Sequence, residues 1–459
     1  MKAKVKNNKT KFVQLFGLLA GLLLCGLTVN AQLNSGALQN NNGKGGTFVI
    51  KNARIVTVSG AVIESGTVVI KDGKIAAVGA TAAAPSGAEV IDGKGLSVYP
   101  GMIDAATNLG LIEIGLGAPG TVDTNELGDN NANEKAIIAV NPYSAFVNVS
   151  RNIGVTTVLT KPQSGLISGQ SAVINLVGST PGEMAVSANN ALIINFPRVV
   201  AGFGGGFGGF GGPAPDFNEL VRRRDTAVDG LKKTFKEALE YGRLQDAYAK
   251  DKTLPKPKTD LRMAAMVPFV RGEKPIIFSA ERERDIKAVI KFADEMKVKA
   301  IILGGQEASK AATELKQKSI PVIFTNIYNL PVREDDAYDA FFAEAGKLQK
   351  AGVLFCIATD SETAVIRDLP EQAGIAAAFD LPKEEALKAV TLYPAQILGV
   401  ADKLGSIEVG KIANIVVTDG DMLEARTKVK YLFINGRLLP LTSRHTELYE
   451  QFKDRKPNQ

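Results

Sequence analysis

Histidine is nearly missing from this chain: one residue in 459, His445. A cluster of imidazoles, the commonest way to hold a catalytic zinc, is therefore excluded. A Ser-His-Asp triad would have to recruit that single residue, and no Gly-x-Ser-x-Gly elbow is present to present the serine. Cysteine is scarce too, with only Cys25 and Cys356. No apolar run after Val29 is long enough to cross a bilayer. No Gly-x-Gly-x-x-Gly follows an early strand, so a dinucleotide site has no support.

What is present at the N-terminus is a three-part pattern. Lys2, Lys4, Lys6, Lys9 and Lys11 come with no acid, and an apolar run follows from Phe12 to Val29. Val29-Asn30-Ala31 then supplies small residues ahead of Gln32. Basic, apolar, small is the order of a secretory signal peptide over residues 1–31. The rival is an uncleaved anchor helix, which Gln14 and the glycines of the run weaken. A lipoprotein site at Cys25 is disfavoured by the bulky leucines before it. The protein is thus expected to be exported, periplasmic or extracellular, with no stable membrane span after cleavage. Cleavage would also remove Cys25, so no internal disulfide is expected. Loss of the five lysines takes the net charge from +6 to near +1, which argues against a nucleic-acid partner.

Residues 32–46 read as a flexible linker rich in Asn and Gly. Short β-like runs follow over residues 47–98, with Asp72-Gly73 as a hairpin signal, and again over 401–440, with Asn435-Gly436. Between these flanks, short apolar runs such as Val98–Ile103, Val155–Thr160, Ala172–Leu176 and Val353–Ala358 alternate with helical periods. Ile286, Val289, Ile290, Ala293 and Met296 form one such period; Phe341, Phe342, Ala345 and Leu348 form another. Some eight strand-helix units fit a (β/α)8 barrel, with an open doubly wound sheet as the rival. Gly202–Gly212 alternates Gly and Phe and reads as a mobile loop. The basic stretch from Asp216 to Ala249 is helix-prone, its charges a solvated face. Residues 441–459 form a charged C-terminal tail.

The most specific string is Tyr99-Pro100-Gly101-Met102-Ile103-Asp104-Ala105-Ala106-Thr107-Asn108. It resembles the strand-one motif of the amidohydrolase superfamily, in its imidazolonepropionase-like branch, which reads Pro-Gly-hydrophobic-Ile-Asp-Ala-His-Thr-His. Val90-Ile91-Asp92-Gly93-Lys94-Gly95, Gly405–Val417 and Leu392–Gly399 resemble other segments of the family. The likeness runs from residue 47 to about 440. It implies an α/β fold: a (β/α)8 TIM barrel over residues 99–400 and a small β-sandwich made by the two flanks. It also implies a hydrolase of carbon–nitrogen bonds other than peptide bonds.

The family's paired histidines at the end of strand one align with Ala106 and Asn108. Two more align with Ser279 and Gly304. Alanine and glycine cannot ligate, and an amide oxygen is a weak ligand for zinc. Asp360, in Ala358-Thr359-Asp360-Ser361, matches the family's aspartate at the end of strand eight, which takes a proton from the attacking water. It is retained either as a residual base or as a structural residue. Asp104, Glu281 and Asp360 would be the oxygen donors for Mg²⁺ or Ca²⁺, an incomplete set. No metal or other cofactor is expected. The resulting reading is a metal-free, inactive or altered hydrolase. The alternatives are a non-catalytic protein holding a small-molecule ligand in the barrel mouth, and a structural partner of an intact paralogue or of its own copies. If the alignment holds, histidine at all four lost positions would recreate a zinc site.

Overall fold

The structure, a computed structural model, describes residues 42–115, 118–199, 216–325, 327–331, 336–360 and 365–455. The segment expected to be a signal peptide, most of the expected linker, the Gly/Phe stretch 202–212 and Ser361 lie outside the described residues.

The flanks build one eight-stranded sheet. Its strands are β1 (Phe48–Ile55), β2 (Ile63–Lys71), β3 (Lys74–Gly79), β4 (Glu89–Asp92) and β5 (Ser97–Pro100) from the N-terminal side. The central region supplies β6 (Met102–Thr107), β7 (Val155–Thr160), β8 (Ile167–Gln170), β9 (Ala172–Asn175), β10 (Ala185–Ser187), β11 (Leu192–Ile194), β12 (Ile276–Ala280), β13 (Ala300–Gly304), β14 (Val322–Phe324) and β15 (Phe355–Ile357). The C-terminal side returns β16 (Ile415–Thr418), β17 (Val429–Ile434) and β18 (Arg437–Leu439) to the flank sheet. That sheet runs β18-β17-β16-β5-β1-β2-β3, with β4 alongside β1. Its own core includes Phe48, Ile50, Val98, Ile415 and Phe433. The two turn signals hold: Asp72 and Gly73 take φ of 51° and 77°, Asn435 and Gly436 take 52° and 69°, the positive angles a type I′ turn requires. Residues 42–46, the described end of the expected linker, are tied down, with the Lys44 N–H donating to Leu438 O at 2.8 Å.

Three expectations need correction. The run Val98–Ile103 is two strands, not one. β5 pairs with β16 in the flank sheet, and β6 opens a different sheet beside β7. The chain changes sheet at Gly101, where a Cβ would stand only 2.2 Å from Thr156 Oγ1. The glycine of the Pro-Gly motif is needed because another strand's side chain occupies the space of its own. Second, Ala172–Asn175 runs antiparallel to β7, and β8 runs antiparallel to β11, so the strand-helix alternation is not regular. Third, the helix expected to include Phe341 and Phe342 starts only at Glu344, and the C-terminal tail contains a helix, Arg444–Phe452, capped by Ser443.

The central strands lie in two sheets, β10-β9-β7-β6 and β15-β14-β13-β12-β11-β8. From β11 to β15 all neighbours are parallel. Alternate side chains of these strands meet in one buried cluster: Ile103, Leu159, Val173, Ile193, Ile277, Ile301, Ile323 and Cys356, one from each of eight strands. Period-two alternation sends the other set outward to the helices. There, Phe278 of β12 meets Phe292 of the helix Glu283–Met296, which meets Phe235 of the helix Phe217–Lys250, each edge-on. The long helix buries Leu231, Phe235, Ala238 and Gly242 at helical spacing and leaves most of its charges, Arg224 excepted, to solvent.

Candidate functional site

Two motifs distant in sequence clip together at the ends of β6 and β15. Asp104 is fully buried. Its Oδ2 accepts from Thr359 Oγ1 at 2.6 Å, and its Oδ1 accepts from the N–H groups of Thr359 and Ala106, each at 3.2 Å. The Asp360 N–H then donates to Ala106 O at 3.0 Å. Asp360 sits at φ 41°, a left-handed conformation that Asp tolerates better than most residues with a side chain. Asp104 is therefore an anchor for the Thr359-Asp360 corner. Burial pushes its carboxyl up to about 7 against those three bonds.

Lys161, the residue directly after β7, supplies what the sequence reading did not find. Its Nζ lies 2.8 Å from Asp360 Oδ1, with the lysine side chain only 7% exposed and that of Asp360 22%. The Lys161 N–H donates to Thr107 O at 3.0 Å, fixing the residue against β6. The one hint in the sequence is a charged residue abutting a strand whose residues are all buried.

The aligned ligand positions gather here but present no ligands. Ala106 is buried in the inner cluster. Asn108 Nδ2 donates to Lys161 O, and Asn108 Oδ1 accepts from Gln163 Nε2, both at 2.7 Å. Asn195, after β11, donates to Gln163 O at 2.7 Å and accepts from Ser279 Oγ at 3.3 Å. Gly304 has φ +104°, and a Cβ there would lie 2.5 Å from the carboxyl atoms of Glu281. Histidine at Gly304, one of the four positions, would be strained by that φ and would require the Glu281 carboxyl to shift.

Glu281 covers the end of β13. Burial first, and the neighbouring Asp360 second, push its carboxyl up to about 7. Ser279, Glu281 and Asp360 share a cavity of about 270 Å³ with Asn195, Phe196, Arg198 and Asp285. The oxygen-ligand set does not assemble either, because Asp104 turns all its bonds to Thr359 and Ala106. Among the described residues no three His, Cys, Asp or Glu side chains are placed to hold a metal ion. The residues present do not fit the histidine-bound metal that the family resemblance implies. His445 is exposed on the C-terminal helix.

Comparison with known proteins agrees with this architecture. Residues 272–439 match the model of the Amidohydrolase family. Over that stretch the sequence is similar to the family, and over most of its length the chain shares the fold of solved amidohydrolases. An amidohydrolase from Thermotoga maritima superposes with a TM-score of 0.75 at 26% identity, covering 86% of this chain and 99% of that one. A prolidase complexed with N-methylphosphonate-L-proline shares the fold at TM-score 0.53 and 18% identity, with 86% of this chain and 99% of that one covered. The amidohydrolase tasK of Hapsidospora irregularis is 23% identical over 378 residues, 77% of this chain. The chain spans only 37% of that protein's length.

Proposed function

We propose that this is an exported member of the imidazolonepropionase-like branch that binds a small molecule at the strand ends without metal-dependent hydrolysis. In this reading the two central sheets close into one (β/α)8 barrel. The inner cluster drawn from eight strands and the Asp360–Ala106 bond between β6 and the segment after β15 support that closure. The flank sheet is the accompanying small domain.

The observation that carries the reading is the buried Lys161–Asp360 pair. Hydrolysis in the family needs a Lewis acid to bring a water towards ionisation near neutral pH. A lysine ammonium supplies positive charge beside the retained aspartate but no vacant orbital for a water. The amide lock of Asn108, Gln163 and Asn195 fills the strand ends with satisfied hydrogen bonds instead of ligands. The carbon–nitrogen hydrolase class therefore describes the ancestry of the site rather than its present chemistry. The test is elemental analysis of protein purified from zinc-supplemented culture. Zinc should be far below stoichiometric. About one tightly held Zn²⁺ per chain, lost in Asp360→Ala, would overturn the reading.

Export rests on the pattern of residues 1–31. N-terminal sequencing of the protein from its native host should begin at Gln32. Recovery of Met1 on membrane-bound protein would instead establish an anchor.

A further inference from the structure

We propose that the cavity at the strand ends takes the cationic nitrogen group of a small molecule, an ammonium or a guanidinium, between Glu281, Asp285 and Asp360. This rests on the metal-free reading above and adds the class of ligand. Asp285 lies in the first turn of the helix Glu283–Met296 and is only 6% exposed. Its Oδ1 has no hydrogen-bond partner. The nearest cation is its sequence neighbour Arg284, whose Nε stands 3.6 Å away, too far for a hydrogen bond. Glu281 Oε2 is also buried and without a partner. Asp360 adds a third carboxylate to the same wall, with Oδ1 given to Lys161.

Buried acceptors without donors cost free energy, and buried carboxylates cost more. Two such oxygens beside one cavity of about 270 Å³ call for an occupant rich in N–H groups. Ammonium offers three donors, and guanidinium offers a planar fork that suits paired carboxylates. Of the cavity's lining residues only Arg198, which is exposed, is cationic; Lys161 is already engaged by Asp360. Phe196 and Leu303 provide apolar surface for the carbon part of the ligand.

Isothermal titration of the mature protein with butylguanidine and butylamine, against butanol and butyrate, tests this. At least one cation should bind saturably, and the neutral and anionic probes should not. Asp285→Asn and Glu281→Gln keep the shape and remove charge. Each should weaken the cation at least about tenfold. Melting curves confirm folding, and if one variant fails to fold the other decides. No saturable binding of either cation, equal binding of butyrate or butanol, or undiminished affinity in every folded variant would overturn the proposal. The zinc measurement separates the two readings. Stoichiometric zinc defeats the metal-free reading whatever the amines do. Absence of zinc together with absence of cation binding defeats only the present inference.

Discussion

Lys161→Met will lower the unfolding free energy by about 3 kcal/mol, the low end of what breaking a buried ion pair costs. The low end applies because the Asp360 side chain keeps 22% exposure, so water screens part of the loss. Methionine retains most of the aliphatic stem, so the loss reports on the charge rather than on packing. Asp360 would be left beside Glu281 with no ammonium to balance it. The double variant Lys161→Met, Asp360→Asn should recover much of the deficit, because the charge that needed a partner is gone. Urea unfolding of both single variants and the double variant gives the coupling. Strict additivity, or a single-variant loss below about 0.5 kcal/mol, would show that the pair does not hold the strand ends together.

The second large effect falls on Asp104. Asp104→Ala leaves the Thr359 hydroxyl and the N–H groups of Thr359 and Ala106 without their acceptor. Unsatisfied buried donors cost about 1–3 kcal/mol each, and partial relaxation should bring the total to roughly 3–5 kcal/mol. Asp104→Asn keeps an acceptor oxygen and should cost less. The pH dependence distinguishes the two states of the native residue. Its carboxyl is raised from 3.8 to about 7 by burial. Between those values the folded protein holds a proton that the unfolded chain has released, so stability falls as pH rises from about 4 to 7 and levels off above. The slope approaches about 1.4 kcal/mol per pH unit for one such group. Glu281, raised to about 7 by burial and by Asp360, adds a slope of the same sign. Melting temperatures from pH 4 to 8 should therefore decline in the wild type and decline less steeply in Asp104→Asn. A rise over this window would show that the buried carboxyl is not held protonated.

Much of the architecture could be read from local pattern. Asp-Gly and Asn-Gly give hairpins because few other pairs accept two positive φ angles. Strand one and the Thr359-Asp360 corner could be recognised because each is a contiguous string with unusual residue types. The period of Ile286, Val289, Ile290 and Ala293 marks a helix face, and those residues are buried. The switch of sheets at Gly101 was hidden inside an unbroken apolar run, since a buried strand looks alike whichever sheet it joins. The antiparallel pairing of β9 with β7 was equally hidden, because alternation fixes a strand's faces and not its direction.

The sequence by itself determined that this chain can offer a metal only one imidazole, His445, because composition limits the supply of ligands regardless of folding. By resemblance it also aligned Ala106, Asn108, Ser279 and Gly304 with the positions where the family carries such ligands. Only the tertiary structure decided what stands there instead. Lys161 reaches Asp360, Gln163 closes on Asn108, and Glu281 covers Gly304 through contacts between separate strand ends. A charge or amide in a sequence states what bond it can make. Which partner it meets, and whether water is excluded from the pair, depends on how the strands are brought together in space.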